Sequence, residues 1–471
     1  MRDLLLLANA EAHPHHAPST GVTLLFAGIL TAMILCLALE EKLHAKKSVI
    51  VGFFAVVSLF LGDALGVLPL DRDGHFWMDN PLGERINLPV YIPAIDWGVI
   101  AIILGASLFV DVTSKSGLFS WIAIKLTKAS GGDPLKLLIY YGCLTVLFSA
   151  VLNNVTAMLI IGSLTAVSLK KLKRNQLLLG FLLVEGLLTN VGGLLTLISS
   201  VPNIIVGNAA KIGFMEFFVK ATPYVVVATA LTLLLAVKLF KIPRLRSEQE
   251  KKDAQRLVNS FDENDGIESR GFFWFSTAMF VLFILTLATT SILPVIKDLE
   301  MGYVAMAFAV IMLIRFKATA GKFYKALDWD LLLFFAFLFV VINVMEHARV
   351  LEGIGKGLAA ITGLGPKVGG AGLLAASAGA SAVTDNIPLA AMLAKILGAS
   401  GDAPMSQWWA VVFGANLGGN LTPIGSASTV VAVTIMTRYE LAVGFARFVR
   451  LALPFALMQI ALAIVYVLIA I

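Results

Sequence analysis

The stretch TDNIPLAAM, Thr384 to Met392, decides how this chain is read. An Asp, an Asn and a Pro stand together in a region that is otherwise apolar and almost uncharged. In lipid an unpaired polar group costs several kcal/mol, and an ionised Asp at mid-helix costs about 2.5–3.5 kcal/mol. Such residues belong inside the protein or on a water-filled cavity. A second cluster of the same layout, LNNVTAM at 152–158, lies earlier in the chain.

Composition sets the class. Of 471 residues, 58% are hydrophobic and 14% charged, against about 25% charged in soluble domains. Several apolar runs approach the roughly 20 residues that cross a bilayer. The expectation is an all-α polytopic membrane protein, not a disordered chain or a soluble enzyme. The net charge of +6 is no nucleic-acid signal, because Lys and Arg cluster beside apolar runs, where they set orientation. Cys36 and Cys143 both sit in apolar runs and support neither a disulfide framework nor a zinc site.

Around the two polar clusters the chain divides into segments. Residues 1–19 read as a mobile tail, with metal binding by His13, His15 and His16 as the alternative. The run Leu4–Leu7 is too short for a signal-peptide core. Residues 20–95 hold spans at about 20–39 and 48–68 and an external loop, 69–95. The turn with Lys42, Lys46 and Lys47 is assigned to the cytoplasm, which puts the N-terminus outside. Asp63 falls near the interface. Residues 241–270, basic and then acidic, form a cytoplasmic linker, and 271–327 hold connecting spans near 271–290 and 301–316.

The remaining segments, 96–240 and 328–471, read as two copies of one unit. In the first, 97–112 is apolar and ends at Asp111, and 117–129, with Trp121, Lys125 and Lys128, suits a helix at the membrane surface. Gly131-Gly132-Asp133-Pro134 is a break with a helix-start signal. The run 135–169 ends in Lys170, Lys171, Lys173 and Arg174. Both its ends favour the cytoplasm, which makes it a re-entrant hairpin with Asn153-Asn154 at the tip; two full spans are the alternative. The matching hairpin is 367–399, with Asp385-Asn386 at its tip. Asp96-Trp97 recurs as Asp328-Trp329, and each Asp precedes its tip by 57 positions.

After each hairpin comes a broken helix. TNVGGLLTLISSVPN (189–203) aligns without gaps on ANLGGNLTPIGSAST (415–429), with seven of fifteen positions identical. Counting spans, the first copy starts outside and the second starts in the cytoplasm. That is the inverted-repeat plan of secondary transporters, with a site near the midplane. The last span, 447–470, then ends outside.

The polar residues suit small ions. Broken helices expose carbonyls, and a hard cation wants oxygen ligands. Asn153, Asn154, Asn190, Asn386 and Asn416 add amide oxygens, with sodium expected at the Asn154 and Asn386 tips. Thr156, Thr196, Ser200, Thr384, Thr422 and Ser426 add hydroxyls, and Gly192, Gly193, Gly418 and Gly419 permit close backbone approach. The same tips expose half-helix N-termini, which favour an anion. Asp385 reads as a proton- or cation-coupling carboxylate, or as a helix cap, and the two roles can coexist. Glu185 is the second intramembrane acid and the second proton-coupling candidate: a ligand, a proton carrier, or a group hydrogen-bonded between helices. Asp63 and Asp111 near span ends suit solvated or structural roles, and Asp96 and Asp328 suit caps. His347 and Glu346 sit near an external end, where pH sensing is the alternative to a plain surface role.

The motifs LNNVTAM, EGLLTNVGGLLTLISSVPNIIVG, TDNIPLA and GANLGGNLTPIGSAST resemble the ion transporter superfamily over roughly residues 50–470. The nearest branch has citrate-transporter-like domains and holds arsenite permeases, NhaD-type sodium/proton antiporters and the melanosomal P protein. The resemblance implies a scaffold domain, an elevator-type transport domain with two opposed hairpins, and a homodimer. In related dicarboxylate carriers each tip carries Ser-Asn-Thr, which binds sodium and substrate carboxylate. Here the matching positions are Asn153-Asn154-Val155 and Asp385-Asn386-Ile387: the Asn is kept and the Ser and Thr are not. Asn153 also stands where several relatives have Asp. The loss of Ser and Thr together with the added Asp385 favours cation or proton exchange over carboxylate transport, whereas Asn153 is one acid fewer.

The expected function is therefore secondary active transport in the plasma membrane, most simply sodium/proton antiport. The alternatives are efflux of arsenite or another oxyanion, sodium- or proton-coupled uptake of a dicarboxylate or citrate, and an uncoupled channel-like pathway. No cysteine stands at either tip to capture arsenic. The partners expected are a small inorganic ion or anion, the bilayer and a second copy of the chain, with no cofactor beyond sodium or protons.

Overall fold

The structure, a computed structural model, describes residues 18–70, 76–79, 85–401, 403–441 and 443–471. The readings at His13, His15, His16 and Leu4–Leu7 lie outside the described residues.

Nearly all of it is helical. In chain order the main elements begin with α1 (Thr20–Ala38) and α2 (Lys47–Ala64), the strands β1 (Phe76–Asp79) and β2 (Arg85–Leu88), α3 (Trp97–Ser114) and α4 (Leu118–Ala129). Next come α5 (Pro134–Ser149), α6 (Asn154–Lys171), α7 (Leu178–Gly192), α8 (Val201–Ala209) and α9 (Phe214–Leu239). Then follow α10 (Glu248–Asn259), α11 (Arg270–Thr289), α12 (Ile296–Ile314), α13 (Ala320–Ala326), α14 (Trp329–His347) and α15 (Val350–Thr362). The chain closes with α16 (Pro366–Ser381), α17 (Asn386–Ala399), α18 (Met405–Gly418), α19 (Ala427–Arg438) and α20 (Phe445–Ala470).

Among the described residues, eight helices are long and apolar enough to cross a bilayer, and α12 with residues 317–325 forms a bent pair at 99°. The helices at the polar breaks are shorter. The 16-residue α5 and 14-residue α17 reach about 24 and 21 Å at about 1.5 Å per residue, short of a hydrocarbon core about 30 Å thick.

Caps decide where these helices start. Asp133 accepts from the N–H of Leu135 (2.9 Å) and Lys136 (3.1 Å), with Pro134 at the first helical position. Asn153 accepts from Thr156 N at 2.8 Å to begin α6. Asp96 and Asp328 act as the caps expected of them, accepting from Val99 N (3.1 Å) and Leu331 N (3.0 Å). Ser426 and Thr429 close a capping box on α19.

The chain forms two compact units. One holds residues up to 100 and 328–359. In it α14 packs along α2, which also carries α1. Ser48 Oγ donates to Asp330 Oδ1 at 2.6 Å, and Gly52 gives way to the Phe337 ring. The stretch 69–95, expected to be loop throughout, contains an antiparallel ribbon of β1 and β2 with Trp77 opposite Asn87. Its strands are four residues each, too short for an alternation signal to rise above the turn residues around them.

The other unit holds 101–327 and 360–471. Phe109 of α3 packs on Phe283 of α11 at 4.4 Å and on Phe308 of α12 at 6.0 Å. The segment 241–270, read as a linker, carries α10 and is folded onto its neighbours. Leu245 N donates to Asp133 Oδ2 at 3.0 Å, and Lys171 sits 3.9 Å over the Phe261 ring. Glu263 bridges Lys125 and Lys128 of α4.

Within this unit the helix pairings recur in two sets. The α5–α7, α6–α7, α7–α9 and α5–α9 packings match α16–α18, α17–α18, α18–α20 and α16–α20. The packings that cross between the sets are reciprocal: α6 lies on α19 as α17 lies on α8, and α7 lies on α19 as α18 lies on α8. Reciprocal contacts of this kind are the mark of an approximate two-fold relation.

Candidate ion and substrate site at two helix breaks

Both broken helices stop at paired glycines, and a close backbone approach explains part of why. A Cβ on Gly192 would lie 2.7 Å from the Cα and carbonyl oxygen of Val146, and one on Gly418 would lie 2.3 Å from the Ala378 carbonyl oxygen. Each glycine thus lets its break press against the first helix of a hairpin. On Gly193 a Cβ would meet the Asn154 amide at 3.0 Å, and on Gly419 it would meet the Gly425 carbonyl oxygen at 2.8 Å. At Gly192 and Gly418 the backbone that comes close is that of the hairpin.

Hydroxyls fasten the same contact. Ser149 Oγ donates to the Thr189 carbonyl, as Ser381 Oγ donates to the Ala415 carbonyl, both at 2.6 Å. Thr196 Oγ1 donates to the Ala150 carbonyl, as Thr422 Oγ1 donates to the Ala382 carbonyl. These satisfy carbonyls left over where α5 and α16 end.

The two breaks are also joined to each other. Asn190 Nδ2 donates to Ser426 Oγ at 2.8 Å, and Ser200 Oγ donates to Asn416 Oδ1 at 2.6 Å, so one Asn–Ser pairing appears twice with the sets exchanged. Asn190 also donates to Asn420 Oδ1 (2.8 Å) and accepts from Ser428 Oγ (3.0 Å). Asn416 donates to Asn203 Oδ1 (2.9 Å), and Asn203 donates to the carbonyls of Gly193 (2.6 Å) and Thr196 (2.9 Å). Asn420 reaches Gln459 Oε1 of α20 at 2.8 Å, and Gln459 donates to Thr232 Oγ1 of α9 at 2.9 Å. Asn190, Asn203, Asn416, Asn420 and Gln459 are all buried. A buried amide is tolerable only when its groups are partnered, and a satisfied network of this kind holds one arrangement rigidly.

The hairpin tips are less enclosed. Asn153 is exposed, while Asn154, Thr156, Thr384, Asp385 and Asn386 are half-buried. The tips differ in how they engage the breaks. Asn154 Oδ1 lies 2.7 Å from Ser149 Oγ, and Asn154 Nδ2 donates to Asn190 Oδ1 (3.3 Å). At the matching place Asn416 turns its amide to Asn203 and the Val412 carbonyl. Asp385 accepts from Ile387 N at 3.0 Å and so caps α17, and Thr384 donates back to the Ala380 carbonyl at 2.8 Å.

The other acids are placed as follows. Glu185 is wholly buried on α7, one and a half turns before Asn190. Asp111 is half-buried with one buried oxygen that has no hydrogen-bond partner among the described residues, and Asp63 is exposed at the end of α2. His347 Nδ1 lies 2.8 Å from the Asn343 carbonyl oxygen in a half-buried position.

The sequence reading missed Asn203, Asn420 and Gln459. Asn203 and Asn420 stand inside the two quoted motifs but have no counterpart in the ungapped alignment. Gln459 is the one amide in a 26-residue apolar helix, and that isolation was the available signal.

Comparison with known proteins fixes the family. A family profile described as "Citrate transporter" (CitMHS) matches residues 34–414. An uncharacterized transporter of Mycobacterium tuberculosis is 32% identical over 379 residues, covering 79% of this chain and 86% of its own. The human P protein is 25% identical over 545 residues, covering 98% of this chain and 61% of its own. The crystal structure of the Alcanivorax borkumensis YdaH transporter shares the fold, with a TM-score of 0.58 at 16% identity, over 90% of this chain and 98% of that one. The chain belongs to the citrate transporter family, within the ion transporter superfamily, and is a multi-pass membrane transporter.

Proposed function

We propose that the chain is a secondary active transporter exchanging sodium for protons, with its site where the two hairpin tips meet the two helix breaks. The observation that carries this reading is the start of α17. One backbone N–H there, that of Ile387, is met by the Asp385 carboxylate. An anionic cargo would have to approach a carboxylate there, whereas a cation gains a charged oxygen beside the half-buried Asn386 amide. A proton can compete for the same carboxylate, which is the requirement for exchange at one site.

In this reading the ion is held by Asp385, Asn386, Asn154 and carbonyls of the two breaks. Asn190, Asn416, Ser200 and Ser426 hold the breaks in register. The reciprocal packing supports two inverted repeats over 96–240 and 328–471, and the expected elevator-type movement and homodimer belong to the same proposal. So do a plasma-membrane location with both termini outside and a cytoplasmic linker.

A second reading is uptake of an organic anion. It is favoured by the start of α6, where the cap is the uncharged Asn153 and so brings no negative charge to a carboxylate. Proteoliposomes under imposed sodium and pH gradients separate the two. Proton release driven by sodium alone supports exchange. Sodium-driven accumulation of a di- or tricarboxylate without proton release replaces it with the second reading.

A further inference from the structure

Glu185 combines full burial with an incomplete set of partners. Its Oε1 accepts from Thr165 Oγ1 at 2.5 Å, while Oε2 is buried and has no hydrogen-bond partner among the described residues. A buried carboxylate with one oxygen bare carries a large desolvation cost, which a bound proton removes. Among the described residues Thr165 is the one side chain shown bonded to it, and the titratable group nearby is Tyr141 of α5, a neutral phenol.

Beside it runs a line of buried hydroxyls. Ser168 stands one turn beyond Thr165 on α6. Its Oγ lies 2.8 Å from Tyr141 OH, which lies 2.6 Å from Thr127 Oγ1 on α4. Thr127, Tyr141, Thr165 and Ser168 are all completely buried. Thr127 is one turn from Ser130 and the Gly131-Gly132 break, against which residues of α10 pack. Three of these hydroxyls are joined by hydrogen bonds and the fourth bonds Glu185, with Thr127 also 2.9 Å from the Ala123 carbonyl oxygen, and in an apolar interior each costs more than a methyl.

We propose that Glu185 is a proton-binding site, served by a relay through Thr127, Tyr141, Ser168 and Thr165 from the end of α4. An inbound proton enters at Thr127, each hydroxyl accepts one proton and passes on its own, and Thr165 delivers to Glu185 Oε1. The carboxylate becomes a carboxylic acid and the chain is left neutral. The step from Ser168 to Thr165, one helical turn of about 5 Å, takes a single bridging water. The proposal deepens the exchange reading and rests on it for the use made of the proton. Thr189 ties the site to the first tip, since its hydroxyl donates to the Glu185 carbonyl and its carbonyl accepts from Ser149, the partner of Asn154.

Infrared difference spectroscopy of the purified protein in lipid, through a pH step, tests this without a transport assay. The expected result is a protonated-carboxyl C=O band that is lost in Glu185→Gln. In Thr165→Val, which removes the hydroxyl bonded to Oε1 while keeping the shape, the band shifts to higher frequency. In Tyr141→Phe its response to the pH step slows at least tenfold. A spectrum unchanged in Glu185→Gln and Thr165→Val overturns the site, and a wild-type rate in Tyr141→Phe overturns the relay. If the band and its slowing persist while sodium-loaded liposomes move no protons, the exchange reading fails and the proton site stands.

Discussion

Replacing Asn190 by Ala removes the side chain that joins the two helix breaks, and its cost follows from counting the groups left behind. Asn190 Nδ2 donates to Asn420 Oδ1 and Ser426 Oγ, and its Oδ1 accepts from Ser428 Oγ and Asn154 Nδ2. Two of these four keep other partners: Ser426 and Ser428 lie 3.1 Å apart, and Ser426 also lies 3.0 Å from Thr429 Oγ1. Asn420 Oδ1 and Asn154 Nδ2 lose the partner described here. At about 1–3 kcal/mol for the buried Asn420 oxygen, and less for the half-buried Asn154 amide, the loss is about 2–4 kcal/mol. The vacated space is polar and admits a water with several partners, which draws the value towards about 2–3 kcal/mol. Equilibrium unfolding in mixed micelles, compared with Asn416→Ala, measures it. Asn416→Ala strands Asn203 and Ser200 but leaves the first tip in place. Both variants are therefore expected to lose similar stability, and Asn190→Ala alone is expected to raise hydrogen exchange at residues 150–156. A loss below about 0.5 kcal/mol in Asn190→Ala, with exchange at the tip unchanged, refutes the idea that these amides lock the breaks.

Other consequences are as direct. Gly192→Ala and Gly418→Ala push a methyl into the hairpin backbone and are expected to cost about 1–3 kcal/mol or more, while Gly379→Ala and Gly398→Ala, with nothing within 4 Å, fold normally; purified yield and thermal unfolding compare the four. Asp385→Asn keeps a capping side chain on α17, so its unfolding curve should match wild type while exchange is lost; retained sodium-driven proton release removes Asp385 from the mechanism. Glu263 is held down at about 2 from its ordinary 4.5 by hydrogen bonds from Lys128 and, less, Lys125. The folded value is the lower one, so this contact stabilises the linker fully above about pH 4.5 and is lost as pH falls towards 2; the protection of amides across 241–270, taken relative to their intrinsic exchange rate at each pH, should fall in that window and with added salt. In Glu263→Gln the linker should show the same low protection at every pH.

Much of this was legible because polar residues in an apolar chain have few places to go. The equal spacing of Asp96 and Asp328 from their tips reappears as matched caps. The aligned Asn190/Asn416 and Ser200/Ser426 reappear as one pairing made twice. The physical cause is that lipid punishes any amide or hydroxyl without a partner, so sequence pattern and hydrogen-bond pattern coincide. What was not legible depends on three-dimensional approach. The glycines were read as room for an ion, and only the packing shows how near Val146 and Ala378 come to Gly192 and Gly418. The ribbon within 69–95 and the docking of 241–270 rest on short, mixed segments, in which no period develops over enough residues to be seen.

Sodium binding to the purified protein at graded pH decides whether the two tips share one cation and proton site. Saturable binding of radioactive sodium is expected at alkaline pH. Protons should displace it as pH falls, and both Asp385→Asn and Asn154→Ala should abolish it. Sodium binding that survives both substitutions, or that protons never displace, contradicts a shared cation and proton site at the two tips.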